Sequence, residues 1–168
     1  VTVAFVGLGS NLDDPPARLR AGLAGLRGLR LTSLQACSRL YLSPPMGPQD
    51  QPDYYNAVAC LETDLQPHEL LTALQAIEVA EGRRRVRPWG PRTLDLDLLS
   101  MGDIRVMSAT LALPHSGVLE RDFVLAPWAE IAPDYVVPGL GPVAQLLHDC
   151  PARGARPLDE PQTRLETP

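Results

Sequence analysis

The chain contains no lysine, since all fifteen of its basic residues are arginine. That excludes every chemistry that needs an ammonium group: the phosphate-binding lysine of a P-loop, a Schiff base, the strand lysine of a protein kinase. Any phosphate chemistry must run on arginine, histidine, backbone N–H groups and metal. Cysteine is scarce as well. Cys37, Cys60 and Cys150 are odd in number and widely spaced, which supports neither a disulfide framework nor a zinc site and suits a reducing compartment. They are expected to be buried small hydrophobes. No apolar run approaches the roughly 18 residues of a membrane helix. The N-terminal VTVAFVGLG has no basic lead-in or cleavage site, so it reads as a strand, and the cytoplasm is the expected location. A net charge of -5 argues against a general nucleic-acid or anionic-membrane binder, because such partners select broad positive surfaces.

What is present fits one globular domain: 168 residues, 45% of them apolar and 21% charged. Residues 2–8 form an apolar strand, and GSNLDDPP then opens a helix with Leu19, Leu23 and Leu26 on one face, ending near Gly28. Residues 29–42 alternate as a strand. SPPMGPQDQPD (43–53), with four prolines and a glycine, must be loop. YYNAVACLET (54–63) is a third strand, and a helix from Pro67 to Glu81 follows with Leu70, Leu71, Leu74 and Ile77 inward. LDLDLLSM (94–101) is the next strand, with a Gly102-Asp103 turn and a short return strand near Ile104 to Met107. The order predicts an α+β fold with a ferredoxin-like βαββαβ core. LERDFVLAPWAEIAP and PVAQLLHDC add short helices. The domain is expected to span residues 1–151, with 152–168 too poor in apolar residues to fold and left as a flexible tail.

Chemistry concentrates in GRRRVRPWGPRTLDLDLL (82–99), which packs five arginines into ten positions and then sets Asp95 and Asp97 into an otherwise apolar run. On a strand those aspartates share one face while Leu94, Leu96 and Leu98 take the other. Two like charges on one face call for a cation between them, and oxygen-only donors suit magnesium, as one site or two. The plainer alternative is that the carboxylates neutralise Arg83, Arg85, Arg87 or Arg92. The arginines outnumber the carboxylates, however, and sit in a Pro- and Gly-rich loop rather than on a helix face. Triphosphate oxygens are their natural partner, because guanidinium forks bind them bidentately and stay charged in any environment. A nucleic-acid patch is the other functional reading. Trp89 either closes this loop over a nucleotide or plugs it.

With GPRTLDLDLL in view, the sequence resembles the 6-hydroxymethyl-7,8-dihydropterin pyrophosphokinases of folate biosynthesis. VGLGSNL (6–12), SPPMGPQDQPDYYNAV (43–58) and LPHSGVLERDFVLAPWAEIAPD (113–134) fit that family in order, so the resemblance covers residues 2 to about 137. It implies a ferredoxin-like enzyme that moves the β,γ-pyrophosphate of MgATP onto the pterin hydroxymethyl group and releases AMP. Asp95 and Asp97 would ligate two magnesium ions, with Asp97 also the candidate base. Arg83 and Arg92 would assist transfer, Arg85 and Arg121 would contact phosphate, and His115 would donate toward a phosphate oxygen. Glu78 would line the nucleotide site.

The resemblance also assigns an acceptor site. A flat heterocycle with polar edges needs aromatic faces and placed amide groups, since an unpaired edge costs about 1–3 kcal/mol. Tyr54 and Phe123 match the stacking pair. Asn56 matches the side chain that reads the pterin edge, helped by backbone groups of Ser43 and Met46 in the loop that also carries Pro44. Ser43 stands where threonine is common, Ser116 where a second proline is common, and Trp128 where leucine is common. The expected partners are small molecules, ATP and pterin, with no nucleic acid or membrane, and the chain is expected to be a monomer. Two rival readings start from the residues alone. GLGSN suggests a dinucleotide-binding oxidoreductase, although Leu12 occupies the third glycine position. The topology suggests an RNA-binding module, although carboxylates stand where aromatic platforms are needed.

Overall fold

The computed structural model describes residues 1–82 and 92–159. Strand β1 (Thr2–Ser10) is flanked on one side by β4 (Tyr54–Thr63) and on the other by β5 (Asp95–Met101), both antiparallel. Helix α1 (Pro15–Arg27) follows β1, helix α2 (Pro67–Ala80) joins β4 to β5, and both pack on one face of the sheet. Proline in the first turn starts both helices, at no cost because the first helical N–H groups have no intrahelical partner. A capping box between Gln66 and Glu69 closes the start of α2, with Gln66 N–H donating to Glu69 Oε2 at 2.8 Å. Leu19, Leu23 and Leu26 of α1 and Leu70 and Leu74 of α2 pack on Val6, Leu8, Leu96 and Leu98 as one apolar cluster.

The single strand expected over residues 29–42 is two. Strand β2 (Thr32–Cys37) and strand β3 (Tyr41–Ser43) pair with successive halves of β4, which at ten residues is long enough for both. Ser38 makes the break: its N–H donates to Val58 O at 2.9 Å, and its Oγ accepts from Val58 N–H at 3.0 Å. A side chain thus takes a bond that the backbone ladder would have made. The core order β2-β4-β1-β5 with two helices on one face is ferredoxin-like.

The return strand after Gly102-Asp103 does not pair with β5. Strand β6 (Val106–Met107) pairs with β7 (Ala112–Leu113) instead, and the Gly102 carbonyl accepts from Tyr135 Oη at 2.7 Å. Helix α3 (Asp122–Ile131), entered through a short 3-10 turn (Val118–Glu120), covers the opposite face of the sheet. The β8–β9 hairpin (Val136–Val137 and Gly141–Pro142) and helix α4 (Val143–Asp149) complete that layer. Phe5, Trp128 and Tyr135 stack at its centre, with ring centroids 4.7 to 6.0 Å apart. The three cysteines are free and partly exposed rather than buried, because they sit at the margins of the two apolar clusters.

The expected tail is fastened over its first part. Strand β10 (Arg156–Pro157) pairs with β3, and Leu158 N–H donates to Leu40 O at 2.8 Å. Edge pairing uses main-chain groups, so poverty in apolar side chains did not forbid it. The rest of that segment, 160–168, lies outside the described residues. Among the described residues no helix is long and apolar enough to cross a membrane.

Candidate active site

The uncovered end of the sheet is floored by glycine. Across the ladders Gly9 stands between Asp95 and Asn56, and Gly7 between Asp97 and Val58. Cross-strand partners share a face, so two missing side chains open the sheet where the carboxylates and the amide converge. A Cβ at Gly9 would come within 3.3 Å of Asn56 Oδ1. The result is a cavity of about 620 Å³ between α2, β5, the 108–116 segment, α3 and the proline-rich loop. Strand alternation puts Leu98 in the helix-side cluster and Leu99 in the other, and a bulge where β1 meets β5, at Phe5 and Val6, leaves Leu99 without a cross-strand partner on β1. The Leu99 carbonyl then accepts His115 N–H at 2.9 Å, which docks the 113–117 loop beside the aspartates.

Asp95 and Asp97 line the cavity with both side chains partly exposed, as strand alternation predicts. Arg92 Nη1 lies 3.8 Å from Asp95 Oδ1, and Arg121 Nη1 lies 3.9 Å from Asp97 Oδ2. Each carboxylate thus has a guanidinium group beside it at a separation longer than a good charge-assisted hydrogen bond. Glu78 is 3% exposed, and its Oε2 accepts Leu96 N–H at 2.9 Å. It satisfies an N–H on the outer edge of β5 while bordering the cavity.

The His115 ring is held with Nδ1 accepting from Gly117 N–H at 3.2 Å, so the proton of the neutral ring sits on Nε2. Burial and then the Arg121 charge lower its pKa from the ordinary value, against a smaller opposing pull from Asp95. His115 is therefore a neutral donor near pH 7.

At the other end of the cavity, Tyr54 and Phe123 stand with Ser43, Pro44, Met46 and Asn56. Asn56 Nδ2 donates to Ser43 Oγ at 2.8 Å and toward Tyr54 O at 3.5 Å, which leaves Oδ1 on the Gly9 side. Ser43 was expected to act through its backbone, yet its buried hydroxyl orients the Asn56 amide. Burial raises the Tyr54 pKa, countered in part by Arg92, so its phenol stays protonated at neutral pH.

Every described residue expected at the site borders this one cavity: Ser43, Pro44, Met46, Tyr54, Asn56, Glu78, Arg92, Asp95, Asp97, His115, Arg121 and Phe123. Arg83, Arg85 and Trp89, with Arg84 and Arg87, lie outside the described residues. Sequence reasoning missed Gln75 and the 108–112 segment, which border the cavity without a distinctive pattern. It also gave no role to Asn11. That side chain donates to Gln51 Oε1 (3.0 Å) and Pro52 O (2.8 Å) and accepts from Arg92 N–H (2.9 Å), tying Arg92 to the proline-rich loop. Its place in VGLGSNL was the available signal.

The profile of the family described as 7,8-dihydro-6-hydroxymethylpterin-pyrophosphokinase (HPPK) matches residues 5–133. The chain belongs to this family. A 2-amino-4-hydroxy-6-hydroxymethyldihydropteridine pyrophosphokinase of Haemophilus influenzae is 46% identical over 144 residues, covering 86% of this chain and 90% of the relative. The Pseudomonas aeruginosa protein of the same name is 46% identical over 154 residues, 92% of this chain and 95% of the relative. Among solved structures, Plasmodium falciparum HPPK-DHPS A437G with STZ-DHP superposes with a TM-score of 0.69 at 13% identity, covering 88% of this chain. The present chain spans 45% of that longer one, and the likeness speaks to the fold.

Proposed function

We propose that this HPPK family member transfers the β,γ-pyrophosphoryl group of ATP to the hydroxymethyl oxygen of 6-hydroxymethyl-7,8-dihydropterin, a step of folate biosynthesis. The observation that carries the reading is the convergence, in one cavity, of an aromatic and amide subsite with two carboxylates and two guanidinium groups. Tyr54 and Phe123 sandwich the pterin, and Asn56, held by Ser43, reads its polar edge; Pro44 and Met46 wall the same end. Arg92 and Arg121 neutralise phosphate oxygens, joined by Arg83 and Arg85, and His115 Nε2–H donates to one of them. Glu78 and Trp89 border the nucleotide.

The donor set fits magnesium. Asp95 and Asp97 offer oxygen ligands only, and among the described residues no group of three or more His, Cys, Asp or Glu could hold an ion alone. Magnesium tolerates that shortage, because it keeps several waters and takes its remaining ligands from phosphate. A bound pair of ions would supply charge neutralisation at the phosphates. The pterin hydroxyl oxygen attacks the β phosphorus in line, the bond from that phosphorus to the α,β-bridging oxygen breaks, and AMP leaves with the bridging oxygen. The hydroxyl proton passes toward Asp97. Positioning and fixed positive charge supply most of the rate enhancement, as is general for phosphoryl transfer.

The test is AMP release from MgATP with and without 6-hydroxymethyl-7,8-dihydropterin. Pterin-dependent AMP is expected. ATP binding with no AMP formed would remove the pterin assignment and leave a nucleotide site in search of another alcohol.

A further inference from the structure

Residues 153–158 join the two walls of the acceptor end of the cavity. Asp122 is buried at the start of α3, between Arg121 and Phe123, and its Oδ2 accepts from the N–H groups of Arg153 (2.8 Å) and Ala155 (3.2 Å). The Arg153 side chain reaches the other flank of Arg121, with Nε donating to Glu120 O at 2.7 Å and Nη2 lying 3.2 Å from Glu120 Oε2. Gly154, at φ +90°, then brings the backbone against the opposite wall, where an added Cβ would stand 3.4 Å from Pro44 Cδ. Two residues further on, β10 pairs with β3, setting Arg156 opposite Leu42 and Pro157 opposite Tyr41. Beyond it Asp159 pairs with Arg39, whose N–H and Nε also hold Glu130 of α3, each at 2.8 Å.

We infer that this segment is a strap that sets the spacing between Phe123 on one wall and Ser43 and Pro44 on the other, with Asp122 as its anchor. Asp122 is then a positioning residue for the acceptor, an inference that rests on the pyrophosphokinase reading. A stacking site is sensitive to this spacing, because a heterocycle held between two faces loses contact on one side when the gap widens by even half an ångström to one ångström. Asp122 Oδ1 is buried without a hydrogen-bond partner among the described residues.

Initial rates with pterin and MgATP varied separately test the strap in Asp122→Ala, Asp122→Asn and Gly154→Val. Asp122→Ala removes the anchor, and Gly154→Val pushes the strap off Pro44 from its other side without altering α3. Both should raise the KM for pterin about tenfold while kcat and the KM for MgATP stay within about twofold. Asp122→Asn keeps an acceptor and should restore the pterin KM to near the wild-type value. A lower melting temperature and a lower kcat with both KM values unchanged would mean a merely structural brace and overturn the proposal. Equal rises in both KM values would overturn it too. Should Asp122→Ala fail to fold, Gly154→Val decides alone. A wild-type enzyme that forms no pterin-dependent AMP defeats the pyrophosphokinase reading before any variant is compared, whereas an active wild type with unmoved variants defeats the strap by itself.

Discussion

Replacing Ser43 by alanine removes one oxygen from a buried corner of the cavity. Ser43 is 2% and Asn56 6% exposed, and the 2.8 Å bond from Asn56 Nδ2 to Ser43 Oγ is the better of the two that orient the amide. The other, toward Tyr54 O, is at the 3.5 Å limit. A buried donor stripped of its partner costs about 1–3 kcal/mol, or roughly 5- to 150-fold in an equilibrium. Ser43 borders the cavity, which has room for a water that could replace the hydroxyl in part and draw the effect toward the lower end. We expect kcat/KM for pterin to fall about 5- to 20-fold in Ser43→Ala, with the KM for MgATP unchanged. Ser43→Thr keeps the acceptor and should stay within about threefold of wild type. The assay is AMP release with pterin varied at saturating MgATP. Ser43→Ala with unaltered pterin kinetics, or with equal losses toward both substrates, would refute the role given to the Asn56 amide.

Asp95→Asn and Asp97→Asn should each abolish turnover at every magnesium concentration while leaving the melting temperature within a few degrees, since both side chains are partly exposed; near-normal activity of either variant in a magnesium titration would remove the metal assignment. His115 carries a pH dependence of stability. Its folded-state pKa is depressed below the ordinary 6.5, so as pH falls through that value the unfolded chain takes up a proton that the folded protein refuses. The stability contributed above pH 6.5 is then lost until the folded pKa is reached. In metal-free protein, urea unfolding at pH values of about 7.5 and 5.5 should show a smaller drop for His115→Gln than for wild type, and equal drops would contradict the buried neutral ring.

Much of this was legible because the signals are local. Alternation in LDLDLL separates Asp95 and Asp97 from Leu94, Leu96 and Leu98, and the structure keeps that separation. The leucine spacing in α1 and α2 marks their buried faces, although Glu78 joins the inner face of α2 because Leu96 N–H gives it a partner. The break at Ser38 was not legible, since a serine that replaces a ladder bond resembles any other serine in a strand. The same holds for β10, whose attachment runs through main-chain groups common to all residues.

The sequence by itself determined the βαββαβ order, the two apolar helix faces, the pairing of carboxylates on one face of β5, and family membership, because each is written in residue types at short, regular spacing. Only the tertiary structure decided that Ser43 orients Asn56 through its hydroxyl, that Leu99 docks His115 beside the aspartates, and that residues 153–158 run from Asp122 to Pro44 between two walls of the cavity. Those contacts join residues far apart in the chain. Their geometry follows from how the sheet, its bulge and the two helical layers pack together, a property of the whole fold that no short stretch of residues encodes.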